Sequence, residues 1–568
     1  MQNNILNRGN RLFPVLLLIL TFMIAIPGQA QQNQVTKIKY QSVINGKISE
    51  GPGVTVLFSD NVAYLSDSKN KIRDFIDYNR NQTVTILSDE NGSFKTLTPF
   101  GQLAQPVAGE KADTILDYTC KYAVVTSFSN KIELWYTDKA GVKASPYLGY
   151  LPGENSLVLR VTINGNRTLE AVSVEKTESE QAPAYPFDKA TEVTAAEMEE
   201  LKIKSRYTRV PVFENQTVNF EPDLALPTGG ELKTGEVYRF SKGSVVMKKV
   251  KMPESWKKGG QIFAQLTCWS EGDAYDRTGS VFIIPETHKT TMLSALQKGV
   301  EILPSFTDKT GQNYQGFAAT EAFEPPVEIM RFFTSFGARY FNSRRVINNY
   351  NWKDAAFYNH EITPLIPIDA TELWVGVFIG NYDKGGHKVN LQLNFYPSFE
   401  EEKPVQNWIN PLFHTVNIME MSGQNYGRFF KTDTLKVAFS VPDSISDLQL
   451  FYTTTGHGGW GTGDEFVPKL NRILIDGKQV FEVVPWRTDC ATYRLVNPAS
   501  GNFATGLSSS DLSRSNWCPG TLTPPYFIPL RNLEPGYHRI EVIIDQGADE
   551  GGSFSHWSVS GILTGIRK

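Results

Sequence analysis

Two acidic residues stand in short stretches that are rich in glycine and aromatic residues. Asp276 lies within residues 270–277, and Glu465 lies within residues 456–466. Each stretch precedes a run of apolar residues that is typical of a β-strand. Two carboxyl groups that folding brings together can move protons to and from a reacting group, which is the minimum that acid–base hydrolysis requires. The first hypothesis is therefore a hydrolytic site assembled from two distant parts of the chain.

Residues 1–30 have the pattern of a secretory signal peptide. A basic segment precedes the apolar run 15–26, which is too short to span a membrane. Small residues before Gln31 fit a cleavage site, so we expect a mature chain that begins at Gln31. No cysteine stands directly after the site, so the pattern is not that of a lipoprotein. The alternative is an uncleaved anchor. No later apolar run reaches membrane-spanning length, and we expect an exported protein, periplasmic or secreted, with no membrane span in its mature form.

Length and composition favour a protein built from several β-rich domains. The chain has 568 residues, which predicts two or three domains. Its net charge of -4 argues against a nucleic-acid partner. It contains 45 glycines, 31 prolines and 12% aromatic residues, and helical periodicity is scarce. These features favour an all-β fold with many turns, and we expect a monomer.

The four cysteines are expected to differ in their state. Cys490 and Cys518 flank a loop rich in serine, asparagine and glycine that has little core of its own. Export permits disulfides, and a bridge that closes such a loop stabilises a fold by roughly 3 kcal/mol in the chain-entropy model. We expect this bridge. Cys120 and Cys268 lie in different predicted domains, in strand-like surroundings, and two buried free thiols are the simpler prediction for them.

The pattern along the chain predicts three β-rich regions. Residues 31–175 read as a smaller N-terminal accessory domain with alternating strands such as 131–135. Residues 176–212 read as a linker, in which Thr194 opens a short helix with a capping-box sequence. Two larger β regions follow, 213–403 and 404–568.

Within the two larger regions, strand and turn signals recur at short intervals. The strand 387–395 alternates most cleanly. Residues 473–481 read as a hairpin whose two-residue turn, Asp476 and Gly477, requires positive φ angles. Residues 539–544 and 557–563 supply closing strands. Short strands with glycine and proline turns are typical of sandwiches or jelly rolls.

Four landmarks in the same order give residues 213–568 a resemblance to the peptide-N-glycosidase F family. The first is the aromatic-Asp-Arg segment 275–277, and the second is the Gly-x-Gly segment 456–458. The third is the Glu-aromatic pair 465–466. The fourth is Arg514 followed by the Trp-Cys-Pro-Gly segment 517–520. A longer form of the family carries an extra N-terminal domain, which residues 31–175 resemble in position.

This resemblance implies both a fold and an activity. The family folds as two adjacent antiparallel jelly rolls of eight strands each, with the active site in the cleft between them. Its reaction is hydrolysis of the amide that links the innermost N-acetylglucosamine to asparagine. The glycan leaves as a glycosylamine, and the asparagine becomes aspartate. The implied substrates are N-linked glycoproteins or glycopeptides.

By the same resemblance, Asp276 is the principal catalytic acid, which orders and deprotonates the water. Glu465 holds the first sugar and the amide and supplies or shares a proton. The alternative for Asp276 is a salt bridge with Arg277, which is awkward because adjacent strand residues point to opposite faces.

Five further residues are implied to bind the substrate. The guanidinium groups of Arg277 and Arg514 suit carbonyl and sugar oxygens, with an ordinary surface charge as the alternative for each. Trp517 is a candidate platform for stacking a sugar, with core packing as the alternative. His457 lines the cleft or is a turn histidine without a role. The aromatic Tyr275 completes the set.

The chain departs from the family at a third acid. The corresponding strand begins Thr-Glu-Leu at Thr371, and Phe378 or Ile379 stands where the acid is expected. Asp383 is close in sequence. This departure puts the role of the third acid in doubt but leaves the two principal acids in place.

No cofactor or metal is implied by the sequence. The seven histidines have no metal-ligand spacing, and no Gly-x-Ser-x-Gly motif surrounds a nucleophile. Two alternatives to the amidase remain. One is a non-catalytic glycan-binding protein on the same fold, and the other is an O-glycoside hydrolase with two carboxylates.

Overall fold

The fold is described here from a computed structural model. The description covers residues 35–568 except for 52, 67–70, 90–91, 154, 179–184, 186–187, 226, 228–231, 399–404, 459–462, 503–504 and 550–552. The predicted signal peptide lies outside the described residues. The described chain divides into two compact units between Lys202 and Ile203.

The N-terminal unit is built on one 13-stranded sheet, in the order β13-β7-β6-β5-β4-β3-β1-β12-β11-β10-β9-β8, with β2 paired to β1. All pairs are antiparallel except the short β13–β7 pair. The strands are β1 (Val35–Ile44), β2 (Lys47–Ile48), β3 (Val54–Ser59), β4 (Val62–Ser66), β5 (Ile72–Asp77), β6 (Gln82–Asp89), β7 (Gly92–Pro99), β8 (Val107–Ile115), β9 (Tyr118–Ser127), β10 (Asn130–Thr137), β11 (Leu157–Ile163), β12 (Arg167–Thr177) and β13 (Thr191–Glu192).

The predicted helix begins where the capping-box sequence places it. Helix α1 (Ala195–Lys204) follows Thr194. The Thr194 hydroxyl accepts from the Glu197 amide at 3.2 Å, and a Glu197 carboxylate oxygen accepts from the Thr194 amide at 2.8 Å. Two of the backbone amides at the start of the helix are thereby satisfied.

The second unit begins with a sandwich whose two sheets have the orders β14-β24-β17-β22 and β15-β16-β23-β18-β21-β30. Their facing apolar side chains form one continuous buried core. The elements are β14 (Thr208–Val218), β15 (Val237–Phe240), β16 (Val245–Lys251), β17 (Gly260–Ser270), β18 (Thr278–Ile284), α2 (Met292–Lys298), β19 (Ser305–Thr307), β20 (Asn313–Gln315), β21 (Val327–Phe333), β22 (Ala356–Glu361), β23 (Glu372–Ile379) and β24 (His387–Pro397).

A second sandwich completes this unit, with sheet orders β25-β33-β27-β31 and β26-β32-β28-β29. Strand β26 alternates strictly between buried and exposed residues, as expected of a strand with one face on the core. The strands are β25 (Asn407–His414), β26 (Leu435–Val441), β27 (Ile445–His457), β28 (Asn471–Ile475), β29 (Lys478–Val483), β30 (Leu522–Thr523), β31 (Tyr526–Pro529), β32 (Gly536–Ile544) and β33 (His556–Arg567).

The all-β, two-sandwich fold expected from the sequence is therefore present. The second sandwich has four strands in each sheet. The first sandwich has sheets of four and six strands. One of the ten is β30, from the C-terminal part of the chain, which pairs with β21. The predicted hairpin is also present, with φ angles of 51° at Asp476 and 77° at Gly477.

A buried ion pair joins the two sandwiches. Glu328 and Arg331, both on β21, pair through two hydrogen bonds of 2.6 and 2.7 Å. Arg331 also donates to the Thr455 hydroxyl of β27 at 2.9 Å, and the Ser560 hydroxyl of β33 donates to Glu328 at 2.6 Å. The charges thus face partners from the other sandwich, which fixes the two sandwiches against each other.

The cysteines have the expected states. Cys490 and Cys518 form a disulfide with Cα atoms 5.1 Å apart. Cys120 and Cys268 are buried free thiols. Within the described part of the chain, no helix has both the length and the apolar character needed to cross a membrane.

Candidate active site

The loop that carries Asp276 connects β17 to β18 and is held in a defined shape. The Ser270 hydroxyl donates to the Asp273 carbonyl at 2.6 Å. The Thr334 hydroxyl accepts from the Arg277 amide at 2.7 Å and donates to the Tyr275 carbonyl at 3.0 Å. These bonds bracket Asp276 on both sides, so its side chain is presented from a braced turn.

Glu465 comes from the loop after β27, in the second sandwich. The Ser515 amide donates to the Glu465 carbonyl at 3.0 Å, which joins this loop to the segment that carries Arg514. The part of the glycine-rich loop at 459–462 lies outside the described residues. The two acids thus come from different sandwiches, as the separation of their motifs predicts.

Both acids line one cleft with a volume of about 530 Å³. Their side chains remain partly open to solvent, at 16% exposure for Asp276 and 19% for Glu465. Tyr275, which is 61% exposed, also borders the cleft. Phe466, from the predicted Glu-aromatic pair, lines the cleft as well. The sequence reasoning missed several other lining residues, which are Phe336, Ala499, Asn502 and Ser509.

Arg514 joins the two acids. One terminal nitrogen contacts a Glu465 carboxylate oxygen, and the other lies 3.4 Å from an Asp276 carboxylate oxygen. The guanidinium is only 1% exposed. One cation thus faces two carboxyl groups at the edge of the cleft, and it offsets the repulsion that two adjacent carboxylates would otherwise suffer.

The Arg514 side chain is held in position by two aromatic rings and by a hydrogen bond to the backbone. Its guanidinium carbon lies 4.9 Å from the Phe466 ring centroid and 4.5 Å from that of Trp517. One terminal nitrogen donates to the Ser509 carbonyl at 2.7 Å. Backbone bonds of 2.9 and 3.1 Å pair Arg514 with Arg487, close to the disulfide. The disulfide loop therefore fixes the position of the cation that joins the acids.

Burial raises the pKa of the Asp276 carboxyl above its usual value, and the charge of Arg514 offsets only part of that effect. A carboxyl group whose pKa is raised towards the working pH accepts a proton more readily than an ordinary aspartate. One Asp276 oxygen is buried and forms no hydrogen bond of good geometry among the described residues. This is the oxygen that lies 3.4 Å from the Arg514 guanidinium, so its partner is the charge of that arginine.

Arg277 pairs with Asp273 and not with the adjacent Asp276. Its Nε donates to an Asp273 oxygen at 2.8 Å, and its terminal nitrogen donates to the other oxygen at 3.3 Å. The salt bridge considered as the alternative role of Asp276 is therefore absent. The Arg277 guanidinium also lies 4.9 Å from the Tyr275 ring centroid, so it supports a residue that borders the cleft.

Trp517 and His457, for which the sequence left a substrate contact and a structural role open, are both buried. Trp517 is 3% exposed, stacks on Phe333 at 4.2 Å and donates to the Gly456 carbonyl at 3.0 Å. It therefore has no free face for a sugar and acts as a support for Arg514. His457 is 6% exposed and bonds to the Thr455 hydroxyl at 2.9 Å. Burial lowers its pKa well below the usual value, so it is a neutral core residue.

The strand expected to carry a third acid, β23, has no acid at the expected position. Phe378 and Ile379 on β23 are both buried, and the Asp383 carboxylate accepts from the Gly385 amide within a tight turn. An acid from elsewhere lies nearby. A Cβ placed on Gly380 would be 3.1 Å from a Glu420 carboxylate oxygen. The sequence offered no sign of this, because Glu420 belongs to a short turn, Glu420–Ser422, far along the chain.

Glu420 sits in a small polar network. The Tyr426 hydroxyl bonds to its carboxylate and to the hydroxyl of Tyr382. The Tyr382 ring lies 5.3 Å from the Arg277 guanidinium. Burial raises the pKa of Glu420 to about 7, against the lowering effects of Tyr426 and Arg277.

The contribution of Glu420 to the free energy of unfolding should decrease as the pH rises from about 4.5 to above 7. Between these values the folded protein keeps a proton that the unfolded chain has lost, so stability falls with increasing pH. The full shift corresponds to about 3 kcal/mol. We expect the Tm of the parent to fall more between pH 5 and pH 8 than that of Glu420→Gln. Parallel Tm profiles for the two proteins would contradict this.

Among the described residues, one group of possible metal ligands lies close together, formed by Asp489 and the two disulfide cysteines. Both sulfur atoms are committed to the disulfide bond. The group therefore offers no thiolate to a metal.

The fold and the site define a class of protein with two β-sandwiches and a cleft in which one acid from each sandwich meets a buried arginine. Comparisons with known families agree with this class. Residues 209–395 match the family described as peptide-N-glycosidase F, N terminal, and residues 425–564 match peptide-N-glycosidase F, C terminal. Residues 38–200 match the family described as N-glycanase peptide, N-terminal domain. The chain belongs to the peptide-N-glycosidase F family.

Two solved structures, described as PNGF-II, support this membership over 94% of the chain. A structure of PNGF-II in space group P21 is 41% identical with a TM-score of 0.80, covering 94% of this chain and 100% of that one. A second, in space group C2, is 40% identical with a TM-score of 0.79, covering 94% and 98%. PNGase F, described as a glycosylasparaginase from Flavobacterium meningosepticum, is 13% identical with a TM-score of 0.42, covering 64% and 96%. No curated protein sequence matches the chain significantly.

Proposed function

We propose that this protein is an exported amidase that hydrolyses the bond between N-acetylglucosamine and asparagine in N-linked glycoproteins or glycopeptides. Family membership supports this reaction class. The observation that carries the proposal is the meeting of Asp276 and Glu465, from different sandwiches, on Arg514 in one cleft. Export is proposed from the signal-peptide pattern of residues 1–30.

In the proposed mechanism, Asp276 acts as the base. Its carboxylate takes a proton from a water molecule, and the water oxygen forms a bond to the carbonyl carbon of the asparagine side-chain amide. The tetrahedral intermediate then expels the nitrogen as that nitrogen receives a proton, and the carbon–nitrogen bond breaks. The products are a glycosylamine and an aspartate side chain. The raised pKa of Asp276 suits it to accept the first proton.

Glu465 and Arg514 hold the reacting group in this mechanism. Glu465 accepts hydrogen bonds from the first sugar and the amide, and it shares the proton that the leaving nitrogen requires. Arg514 keeps both acids in position and places a positive charge beside the carbonyl oxygen, where negative charge develops. Tyr275 borders the same cleft with an open ring face, which suits packing against the C–H surface of a sugar.

The second candidate is a glycan-binding protein without catalysis. It is favoured by one observation, which is that β23 carries Phe378 or Ile379 where the family's third acid is expected. The retention of both principal acids on a shared arginine opposes it, because a binding site has no need of a carboxyl with a raised pKa.

The test is incubation of residues 31–568 with a denatured N-glycoprotein, followed by peptide mass spectrometry. An amidase converts the glycosylated asparagine to aspartate, a mass gain of about one unit relative to the unglycosylated asparagine peptide. An O-glycoside hydrolase would leave the asparagine amide intact. Intact glycopeptides across several glycan types, from a folded sample, would favour the binding protein.

A further inference from the structure

A cationic loop forms the outer side of one cleft wall. Residues 339–353, which we call the arginine loop, contain Arg339, Arg344, Arg345 and Lys353 and no acidic residue. The whole chain carries a net charge of -4. The arginine loop is therefore positively charged in a protein whose net charge is negative. Whether this charge can act on a substrate depends on where the loop lies relative to the cleft.

The arginine loop is attached directly to the wall of the cleft. Phe336, which lines the cleft, accepts from the amide of Ala499, another lining residue, at 2.9 Å. A terminal nitrogen of Arg345 donates to the Ser500 carbonyl at 2.9 Å. The Lys353 amide donates to the Leu495 carbonyl at 2.9 Å. A ligand that extends out of the cleft past residues 499–501 thus meets this loop.

The cations of the loop are exposed and have no acidic partner. Arg339, Arg344 and Arg345 all lie at the surface. None of them forms an ion pair with a residue in the described part of the chain, whereas Arg277 and Arg514 nearby are both paired. Arg339 lies 4.2 Å from the Trp269 ring centroid, and Arg344 lies 4.8 Å from that of Phe341. Stacking holds these guanidinium groups in place while their N–H donors stay free.

Two further features distinguish the loop from an ordinary charged surface. Arg339 has a φ of 73°, in the left-handed region that costs a residue other than glycine roughly 1 kcal/mol or more. Tyr340, Val346 and Tyr350 are 48, 82 and 65% exposed. The loop therefore presents apolar side chains together with unpaired guanidinium groups, in a backbone conformation that is intrinsically unfavourable.

We propose that the arginine loop binds the polypeptide part of the substrate and selects for acidic residues beside the glycosylated asparagine. This rests on the proposed amidase function. Guanidinium forks match carboxylates, and exposed aromatic and apolar side chains suit an unfolded peptide. An extended chain advances about 3.3–3.6 Å per residue, so the nearest flanking side chains stay within reach of the cleft wall. Carboxylated sugars at the far ends of a glycan lie many sugar units away.

The test compares glycopeptides that carry the same neutral glycan and differ only in having glutamate or glutamine beside the asparagine. For the parent protein at low salt, we expect kcat/KM to favour the glutamate peptide about threefold to tenfold, the range for a few exposed ion pairs. In Arg339→Gln/Arg344→Gln the ratio should approach one. In Arg339→Lys/Arg344→Lys only the part of the preference that depends on charge alone should remain. Neither residue bonds to the wall, unlike Arg345.

Arg531 provides a matched control. Arg531 is exposed and follows β31, which pairs with the first half of β27. The cleft lies beyond the other end of β27. Arg531→Gln should keep the parent's ratio. The preference should also weaken with added salt, because exposed pairs are screened.

The outcomes distinguish failure of the arginine-loop proposal from failure of the proposed amidase function. If the parent cleaves neither peptide, the proposed function fails. If it cleaves both at equal rates, or if Arg339→Gln/Arg344→Gln keeps the preference, the arginine loop does not select acidic peptides. If the preference follows carboxylated glycans and ignores the peptide, the loop binds the glycan and the peptide assignment is overturned.

Discussion

Asp276→Asn is expected to reduce glycan release by about 10²- to 10⁴-fold, the usual contribution of a general acid or base. The substitution keeps the shape of the side chain and removes the group that takes the proton from water. The rate is measured by mass spectrometry of the released aspartate peptide. Asp383→Asn is the matched control, since Asp383 lies in a nearby turn outside the cleft, and it should act at the parental rate.

The pH profile adds a readout that a merely structural role would not change. The base acts in its charged form, so activity should rise with pH through the raised pKa of Asp276. That rising limb should be absent from whatever activity Asp276→Asn retains. An Asp276→Asn variant with the parental rate and pH profile would remove Asp276 from the mechanism and leave Glu465 as the remaining candidate.

Glu328→Gln is expected to destabilise the second unit by about 3–5 kcal/mol, the usual result of removing one partner of a buried ion pair. The change leaves Arg331 with a buried charge that no carboxylate balances. Because the same arginine donates to β27 in the other sandwich, the loss falls on the junction between the two sandwiches. Thermal unfolding of the parent and the variant measures it, with the double variant Glu328→Met/Arg331→Met as the comparison.

The double variant should be less destabilised than Glu328→Gln, because no buried charge remains unpaired. An equal or greater loss of stability in the double variant would show that the attraction within the pair exceeds the cost of its desolvation.

The dependence of stability on pH provides a second test of the Glu328–Arg331 pair. Burial opposes the charged form of Glu328, but Arg331 and its hydrogen bonds lower its pKa to about 2. Its stabilisation is complete above about pH 4.5 and is lost as the pH falls towards 2.

Several elements were predictable because their signals are local. Thr194 and Glu197 encode the start of α1 within four residues. Asp476 and Gly477 encode the turn between β28 and β29, since few other residues adopt two successive positive φ angles. The strand at 387–395 was recognisable because one face must be apolar. In each case the residues that specify the structure are also the ones that adopt it.

The contacts of the site were less predictable. Trp517 resembles a sugar platform in sequence, but its orientation depends on Phe333 and on the Gly456 carbonyl, which come from distant strands. Arg277 is adjacent to Asp276 and yet pairs with Asp273, because the backbone of the loop turns its side chain away. Glu420 reaches the vicinity of Phe378 from a turn about forty residues later, and nothing in its neighbours along the chain indicates this.

By itself, the sequence determined the all-β fold class, the disulfide and the two acids on which the proposed mechanism depends. Periodicity, turn chemistry and motif type are properties of residues that are close in sequence. They can therefore be recognised without knowing which side chains pack against them. Only the tertiary structure decided that Arg514 joins Asp276 to Glu465, that Trp517 and His457 support the cleft from below, and that β30 crosses to the first sandwich. These are long-range contacts, and they are fixed by which buried surfaces and unpaired polar groups remain when all the strands have packed.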